Sequence, residues 1–352
     1  MRVAFVSEKT VFHRVTEGRE RLHRIATSLA ERGHEVTVFC AQWWDGYEEQ
    51  KERDGVTYQG VTVAPARTSF LSRTPALVAM ARPDVVHATP EPPEQVLAAA
   101  LGGTLARAPL VVEWYGDEDV PDNRLGRQAA TTPARVITPS ELVRTHVRER
   151  GATGDQTQVI PEGIDMETVR EVDPDDSADI VYARYLDEEA NVENLLLGLA
   201  ELRQRDWSAT IIGDGPRREA IEDQATDLRI DDRVTFAGDL LRQERVALYK
   251  GAHTFVQTAY REQFATELLW ALACGCVGIV EYQAESSAHE LIETYERSFR
   301  VTDDQELADA IVEAGQFERM SVDEDLASYD HSRVLERYLS WYRELQEVHG
   351  VL

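Results

Sequence analysis

Short β-branched runs alternate with helical patterns along this chain, and the alternation forms two successive series. Gly18–Arg32 shows the helical pattern, with Leu22 and Leu29 at helical spacing, and Gly33 follows where a glycine C-cap is expected. Such alternation predicts parallel sheets covered by helices, an α/β fold. The expected strands are Val3–Val6, Glu35–Phe39, Val56–Val63, Asp84–Ala88, Leu110–Glu113, Arg135–Thr138 and Gln158–Pro161, then Ile180–Ala183, Ala209–Ile212, Val234–Ala237, Thr254–Gln257, Val277–Val280 and Ser298–Val301.

One segment between the two series has the composition of a linker. Glu162–Ala178 contains Gly163, Pro174 and the acidic run that begins at Asp173. We therefore predict two Rossmann-like, doubly wound domains, residues 1–165 and 166–330, that face each other across a cleft. The amphipathic segment Ser332–Val348 predicts a C-terminal helix, within residues 331–352, that packs back on the N-terminal domain. Two such open sheets place a ligand at the carboxyl ends of their strands.

The balance of charge is strongly acidic. The chain has 64 Asp and Glu residues against 37 Lys and Arg residues, a net charge of −27, and lysine occurs only at Lys9, Lys51 and Lys250. Self-repulsion of this size disfavours a compact state unless salt screens it, as in proteins of halophiles. We therefore expect a halophilic protein from a haloarchaeon, the alternative being an ordinary acidic protein that folds fully in dilute buffer. Because no basic face is evident, we expect no nucleic-acid partner.

Cysteine usage and the lengths of the apolar runs favour a cytoplasmic protein. Cys40, Cys274 and Cys276 form neither a disulfide framework nor a zinc pattern. The apolar run at the N-terminus is too short for a signal peptide. The longest apolar run, Leu268–Val280, is too short to span a bilayer. Peripheral contact with the inner face of a membrane stays open, although no basic amphipathic helix is evident.

Several segments match one protein family in their order and spacing. They are Glu17-Gly18, Glu31–Val38, Pro83–His87, Val136–Ser140 and Val159–Asp165 in the first half, and Ile211–Pro216, Asp232–Gly238 and Glu262–Gly275 in the second. Over nearly its whole length the chain thus resembles the retaining glycosyltransferases of family 4, also called glycosyl transferases group 1. The resemblance implies the GT-B fold, and altered donor-site motifs indicate a divergent member.

The resemblance also implies a reaction. A hexose would pass from a nucleotide-diphosphate sugar to a glycan, lipid-linked or polysaccharide acceptor with retention of configuration, without a metal or other cofactor. Such transfer requires stabilisation of the charge that builds on the departing diphosphate, for which a planar guanidinium is well suited. Arg184 aligns with the diphosphate-binding arginine of the family, and Glu262 with the glutamate that contacts the donor sugar. The alternative for Arg184 is a solvated arginine at a strand end.

Two other positions of the donor motif are altered. Tyr185–Asn191, where the family has a lysine, contains none, and Ala190 or Glu189 takes its place. Arg261 and Arg242 are the cations that we consider as substitutes. The second glutamate of the family, which holds the ribose hydroxyls, is replaced by Trp270. Glu267, one helical turn earlier, is a candidate for the ribose role. The alternative for Glu267 is a favourable acid in the first turn of a helix.

Backbone groups complete the expected donor site. Phe264, Ala265 and Thr266 are expected to open a helix whose free amides bind the diphosphate. In the N-terminal domain, Gly18 is what remains of the family's glycine loop, where backbone amides approach the diphosphate. Tyr115 lies where the family often has a histidine. It is a candidate for a hydrogen bond to a sugar or acceptor hydroxyl, with aromatic packing at a strand end as the alternative.

Two other functions are weighed against the transferase. The missing lysine, second glutamate and glycine favour a catalytically inactive GT-B protein that binds a sugar nucleotide or a partner protein. The presence of Arg184 and Glu262 favours the transferase. A sugar-nucleotide epimerase of related fold would need acid/base residues in the cleft, and no convincing set is found.

Overall fold

The chain divides into two compact units in a computed structural model that describes residues 1–46, 48–175 and 178–350. The first unit is Met1–Pro161 together with Val334–Leu352, and the second is Glu162–Arg333. The division falls slightly before the predicted boundary at residue 165. The predicted linker, Glu162–Ala178, includes residues 176 and 177, which lie outside the described residues. It also contains a short helix, Met166–Glu171, and is therefore partly ordered secondary structure.

The first unit contains an eight-stranded sheet, whose neighbouring strands are parallel except for the pair β3–β4. Its strands are β1 (Arg2–Val6), β2 (Glu35–Gln42), β3 (Gln50–Arg53), β4 (Val56–Val63), β5 (Val85–Ala88), β6 (Leu110–Glu113), β7 (Arg135–Thr138) and β8 (Thr157–Val159). The helices that follow in the chain are α1 (Glu17–Glu31), α2 (Arg67–Ala81), α3 (Pro93–Ala106), α4 (Arg124–Thr131) and α5 (Glu141–Glu149). The strand order is β3-β4-β2-β1-β5-β6-β7-β8.

The second unit contains a six-stranded parallel sheet of order β11-β10-β9-β12-β14-β16 and a two-stranded sheet, β13-β15. Its strands are β9 (Ile180–Ala183), β10 (Ala209–Ile212), β11 (Val234–Gly238), β12 (Thr254–Gln257), β13 (Arg261–Glu262), β14 (Val277–Glu281), β15 (Glu285–Ser286) and β16 (Ser298–Val301). Its helices are α6 (Met166–Glu171), α7 (Val192–Glu201), α8 (Arg218–Asp227), α9 (Arg242–Gly251), α10 (Thr266–Ala273), α11 (Ala288–Ile292) and α12 (Asp304–Ala314), and a 3-10 helix spans Glu324–Tyr329.

Both sheets have the strand order of Rossmann-like domains, so the predicted α/β class is confirmed. In the second unit β9 lies near the centre of the sheet, and the later strands are added on both sides of it. All four residues of β9 and all four of β12 are buried, as expected of parallel strands with helices on both faces. Every predicted strand is present, with small differences at its ends.

The last helix, α13 (His331–Gly350), completes the core of the first unit. The predicted apolar stripe of this helix is buried against Phe5, Val111 and Ile137. Its members are Val334, Leu335, Tyr338, Leu339, Tyr342 and Leu345. The helix therefore packs on the N-terminal sheet.

A buried polar cluster joins α13 to α1 and β6. Arg21 donates to Glu113 at 2.5 Å and to the Tyr338 hydroxyl at 2.7 Å, and Tyr338 donates to Glu113. His87 lies 3.2 Å from the other oxygen of Glu113. Burial alone would raise the pKa of Glu113, but Arg21, with hydrogen bonds from His87 and Tyr338, outweighs it and lowers this pKa to about 2. The carboxylate is therefore ionised inside the core.

Within the described parts of the chain, none of the helices combines the length and apolar character that crossing a bilayer requires.

Candidate functional site

Two of the predicted residues meet at the carboxyl edge of the second sheet. Arg184 follows β9 directly, and Glu262 lies in β13, shortly after β12. Because β9 and β12 are adjacent parallel strands, the segments that follow them leave the sheet at one edge. Arg184 Nε donates to Glu262 Oε2 at 3.0 Å, Nη1 to Asp187 Oδ1 at 3.0 Å, and Nη2 to the Arg261 carbonyl at 3.0 Å. Three neighbours therefore fix the guanidinium.

The glycines of the Gly213-Asp-Gly215 turn make room for the backbone beside Arg184. A Cβ on Gly213 would lie 1.9 Å from the Arg184 carbonyl oxygen, and one on Gly215 would lie 2.4 Å from that of Leu186. Both glycines have positive φ, 130° and 158°, which side chains rarely tolerate. The Leu186 amide donates to the Asp214 carbonyl of this turn, at 2.9 Å. This motif positions the Arg184 loop.

The small sheet β13–β15 fixes Glu262 from the other side. Glu262 pairs with Ser286, and its carbonyl accepts the Ser287 amide at 2.9 Å. Burial raises the pKa of Glu262 to about 7, against the opposing effect of Arg184, and the nearby charge of Glu267 adds to the increase. This carboxyl therefore takes up a proton more readily than an ordinary glutamate.

Glu267, expected to reach toward a ribose, is engaged by its own neighbours. Its Oε1 accepts from Arg242 at 3.0 Å and from Arg245 at 2.9 Å. Its Oε2 accepts from Arg242 at 2.8 Å and from the Tyr249 hydroxyl at 2.6 Å. Four donors match what an ionised carboxylate accepts. In this arrangement Glu267 anchors two arginines of α9, and a ribose contact would require some of these bonds to break.

Trp270, which replaces the second glutamate of the family motif, supports the same cluster. Its side chain is buried, and the guanidinium of Arg242 lies over its ring, 4.8 Å from the centroid. Of the two cations considered as substitutes for the missing lysine, Arg242 is thus held beside the start of α10. Arg261 is exposed, and its carbonyl rather than its side chain contacts Arg184.

Of the two residues that could take the place of the lysine, Glu189 is half-buried and Ala190 is enclosed by its neighbours. Ala190 is fully buried, and its carbonyl accepts the Tyr182 hydroxyl at 2.7 Å. A long charged side chain would not fit there without rearrangement of the loop. The adjacent Asn191 has a positive φ of 51° and donates through its side chain to the Thr258 carbonyl at 2.9 Å. The loop after β9 is therefore built around a small residue.

Helix α10 begins where the sequence predicts. Phe264 and Ala265 are buried, and Ala265, at the N-cap, has no side-chain acceptor for the amides of the first turn. The amide of Thr266 donates to the Phe264 carbonyl at 2.9 Å, so this amide already has a partner within the loop. The positive end of the helix dipole lies between Glu262 and Glu267 in the chain.

The two predicted residues of the first unit have partners of their own. The Gly18 amide donates to Asp117 Oδ2 at 3.1 Å, and a Cβ on Gly18 would lie 2.6 Å from Asp117 Oδ1. Tyr115 is buried, and its hydroxyl donates to Glu17 at 3.0 Å. Glu118 accepts from the amides of Tyr115, at 2.9 Å, and Gly116, at 2.7 Å. The carboxylates of Asp117 and Glu118 thus bind backbone amides in the region where the diphosphate was expected.

Sequence reasoning missed five residues of this region. They are Asp187, Arg245 and Tyr249 in the second unit and Asp117 and Glu118 in the first. Asp117 and Glu118 follow β6, and carboxylates after a strand end are a signal that could have found them. Among the described residues, no group of three or more His, Cys, Asp or Glu side chains is arranged to hold a metal ion.

Comparison with known families identifies both halves of the chain. Residues 166–321 match the family Glycosyl transferases group 1. Residues 20–168 match Glycosyltransferase Family 4. The chain therefore carries the two glycosyltransferase domains that its motifs indicated, and its fold is the GT-B type.

A curated relative and several solved structures agree with this class. The α-monoglucosyldiacylglycerol synthase of Streptococcus pneumoniae is 27% identical over 157 residues, which cover 40% of this chain and 35% of that protein. A glycosyltransferase from Rickettsia africae has a TM-score of 0.77 at 14% identity, with 98% of each chain covered. HepE from Anabaena, in complex with UDP, has a TM-score of 0.71 at 19% identity over 100% of both chains. The structural likenesses establish the fold.

Proposed function

We propose that the protein is a hexosyltransferase that takes its sugar from a nucleotide diphosphate and retains the configuration of the transferred sugar. The observation that carries the proposal is the Arg184–Glu262 pair at the carboxyl edge of the second sheet. HepE, which has the same fold, has been solved with UDP and with UDP-glucose. The curated relative is a synthase of a glucosylated diacylglycerol. These support a nucleotide-sugar donor and a glycan, lipid-linked or polysaccharide acceptor.

Two groups of arginines would stabilise the negative charge on the departing diphosphate. Arg184 faces the carboxylates of Glu262 and Asp187, and Arg242 and Arg245 both bind the carboxylate of Glu267. The second group therefore places two guanidinium groups next to the first turn of α10. We propose that Arg242 supplies the cation that the family obtains from its lysine, with Arg184 and the α10 amides as the other donors.

Glu262 would contact the hydroxyls of the donor sugar. A carboxyl with a pKa of about 7 accepts hydrogen bonds from hydroxyls when ionised and donates one when protonated. In retention without an enzymic nucleophile, the acceptor attacks from the face that the diphosphate leaves, and the diphosphate itself takes the acceptor proton. On this proposal the reaction uses neither a metal nor a cofactor, and the enzyme works in the cytoplasm, at or near the inner face of the membrane.

A second function, a catalytically inactive sugar-nucleotide binding protein, is favoured by one specific observation. The buried Trp270 fills the position of the family's second glutamate, and no cation takes the place of its lysine at Glu189 or Ala190. Loss of one charged contact to a developing oxyanion costs about a hundredfold or more in rate. The two functions share ligand binding and differ in turnover.

A thermal-shift screen in molar KCl tests both, using UDP, GDP, ADP and their common sugar conjugates. We expect one nucleotide to raise the melting temperature of the wild type and to lose this effect in Arg184→Ala and Glu262→Ala. Arg170→Ala is the matched control, because Arg170 is also ion-paired, with Glu324 at 2.7 Å, but lies on the exposed surface. Release of free nucleotide from the bound sugar conjugate then separates enzyme from binding protein. No shift with any nucleotide would refute nucleotide binding altogether.

A further inference from the structure

A cavity lies in the second unit, at the edge of the sheet opposite to Arg184. Ile180 and Thr254, the first residues of β9 and β12, are among the residues that line it. Arg184 follows the last residue of β9, so the whole strand separates this cavity from the Arg184–Glu262 pair. The cavity has a volume of about 410 Å³. Small-molecule sites enclose roughly 300–1,000 Å³, so it has room for a ligand of its own.

Two neighbouring helices, α7 and α12, form one wall of the cavity near their C-terminal ends. The helices touch at Gly198 of α7, where a Cβ would lie 2.7 Å from Leu307 of α12. Beyond this contact, the cavity is lined by Leu202, which follows α7, and by Ile311 and Val312 of the last turn of α12. This wall is therefore apolar.

Two aromatic rings, those of Trp207 and Phe317, also line the cavity. The Trp207 indole donates to the Leu202 carbonyl at 3.0 Å, and the guanidinium of Arg233 lies 5.4 Å from the centroid of its ring. The guanidinium of Arg297 lies 5.3 Å from the centroid of the Phe317 ring. Both rings are thus held by neighbouring side chains, which gives the cavity flat apolar surfaces in fixed positions.

Polar groups of both hydrogen-bonding kinds lie among these apolar walls. His253 Nε2 lies 2.9 Å from the Ala314 carbonyl. Because a carbonyl only accepts, this nitrogen carries the proton, and Nδ1 of the neutral ring is an acceptor. Arg205 and Asp206 line the cavity and are exposed. In the part of the chain that the structure describes, neither of these two side chains has a hydrogen-bond or ion-pair partner. A donor and an acceptor are therefore open to a ligand.

The charges around the cavity favour a neutral ligand. Two arginines and two aspartates line it, Arg205 with Asp206, and Arg319 with Asp179, which lies 3.0 Å from Arg319. A nucleotide or another anion would have to approach both carboxylates in a chain of net charge −27. A sugar ring suits this lining better, because its apolar faces pack on flat side chains. Its neighbouring hydroxyls match the paired donors of a guanidinium and the paired acceptors of a carboxylate.

We propose that this cavity binds one sugar ring of a neutral glycan chain, at a second site apart from the transfer reaction. The rim is open to solvent, since Val312 is 37% exposed and Arg205, Asp206 and Arg319 are exposed. A chain can therefore continue outward from the bound ring. The role of this site rests on the proposed function: where the transfer reaction extends such a chain, a second contact keeps the chain on the enzyme between transfers.

Isothermal titration with saccharides in molar KCl, without any nucleotide, tests the proposal on the full chain. The probes are maltopentaose, cellopentaose, mannopentaose and galactopentaose, each compared with its monosaccharide. We expect one pentasaccharide to bind, and to bind more tightly than its monosaccharide. Arg205→Ala should weaken this binding about tenfold, as expected for loss of a charged hydrogen-bond donor. Phe317→Leu, which keeps the apolar volume but removes the flat ring, should weaken it about threefold or more.

Two control variants change similar side chains outside the cavity. Arg203→Ala removes an exposed arginine of the same loop, and Phe236→Leu removes a half-buried ring of β11. Both should bind the pentasaccharide as the wild type does. Absence of binding by all four pentasaccharides, or wild-type affinity in Arg205→Ala and Phe317→Leu, would overturn the proposal. Equal affinity for a pentasaccharide and its monosaccharide would overturn the assignment to a chain.

The thermal shift with nucleotides separates this proposal from the proposed function. Arg205→Ala and Phe317→Leu should keep the nucleotide response of the wild type, because β9 lies between the cavity and Arg184. Loss of that response in Arg205→Ala would assign the cavity to a nucleotide and overturn the proposal. Saccharide binding that depends on Arg205, in a protein that no nucleotide stabilises, would support the glycan site and refute the transferase.

Discussion

Arg184 and Glu262 are 78 residues apart in the chain and lie within one hydrogen bond of each other, at 3.0 Å. The same guanidinium donates to Asp187 and to the Arg261 carbonyl. Each acceptor is bound by a different nitrogen of the planar guanidinium, whereas the three donors of a lysine lie on a single nitrogen.

Arg184→Lys is therefore expected to bind nucleotide about tenfold more weakly than the wild type, although the charge is kept. Its ammonium group cannot reach all three acceptors and a diphosphate together. Isothermal titration with the nucleotide found in the screen measures the effect, and Arg170→Lys is the control. Wild-type affinity in Arg184→Lys would contradict the role given to the guanidinium.

Gly213→Ala is expected to lower the free energy of unfolding of the second unit by about 3 kcal/mol or more. The new Cβ would lie 1.9 Å from the Arg184 carbonyl oxygen, at a φ of 130°. Gly154→Ala is the control, since its Cβ would meet nothing within 4 Å. Denaturant unfolding in high salt measures both. Equal unfolding midpoints for the two variants would show that the Arg184 loop relaxes at little cost.

Glu267→Gln is expected to weaken both stability and nucleotide binding. Removing the carboxylate charge that serves Arg242 and Arg245 costs about 1–3 kcal/mol, less than in a fully buried pair because the Arg242 side chain is 39% exposed. Without it, Arg242 loses the anchor that holds it over Trp270. The exposed Glu219→Gln is the control. If stability falls while nucleotide affinity is unchanged, Arg242 is not the second cation of the donor site.

Stability should depend on pH through Glu113. Its pKa is lowered to about 2 in the folded chain, so ionised Glu113 stabilises the fold above the ordinary pKa of 4.5. This contribution, about 3 kcal/mol, is lost as the pH falls from about 4.5 to about 2. Across this range, the free energy of unfolding of Glu113→Gln should change less with pH than that of the wild type. The exposed Glu336→Gln should follow the wild type, and identical slopes for all three proteins would refute the assignment.

Salt should control folding as a whole. We expect loss of structure in dilute buffer and recovery in molar KCl, because the net charge of −27 repels itself unless ions screen it. Circular dichroism across a KCl series measures this. Full folding in dilute buffer would instead indicate an ordinary acidic protein.

The sequence predicts the strands well for a physical reason. Parallel strands such as β9 and β12 are buried on both faces and therefore appear as short β-branched runs. Strand β3 has no such run, since Gln50–Arg53 is polar and exposed throughout. Its signal is the turn Asp54-Gly55, where both residues have positive φ, 53° and 75°.

The partners of the site residues could not be predicted in the same way. The surroundings of Glu267 depend on Arg242, Arg245 and Tyr249, which the packing of α9 against α10 brings in. Spacing along the chain carries no information about that contact. Tyr115 is similar, because the acceptor of its hydroxyl, Glu17, lies 98 residues away in the chain. Motif positions thus predicted residues that the fold brings together, such as Arg184 and Glu262, whereas tertiary packing sets the partners of each side chain.

The return of α13 to the first sheet has a consequence for the nascent protein. Tyr338 and Tyr342 are core residues of that sheet, yet the ribosome makes them after the whole second unit. The second unit is one continuous segment, Glu162–Arg333, and can close once it has left the exit tunnel. The first unit has to wait, with Arg21 and Glu113 lacking the hydroxyl of Tyr338. The domain that begins first during translation is therefore the one that matures last.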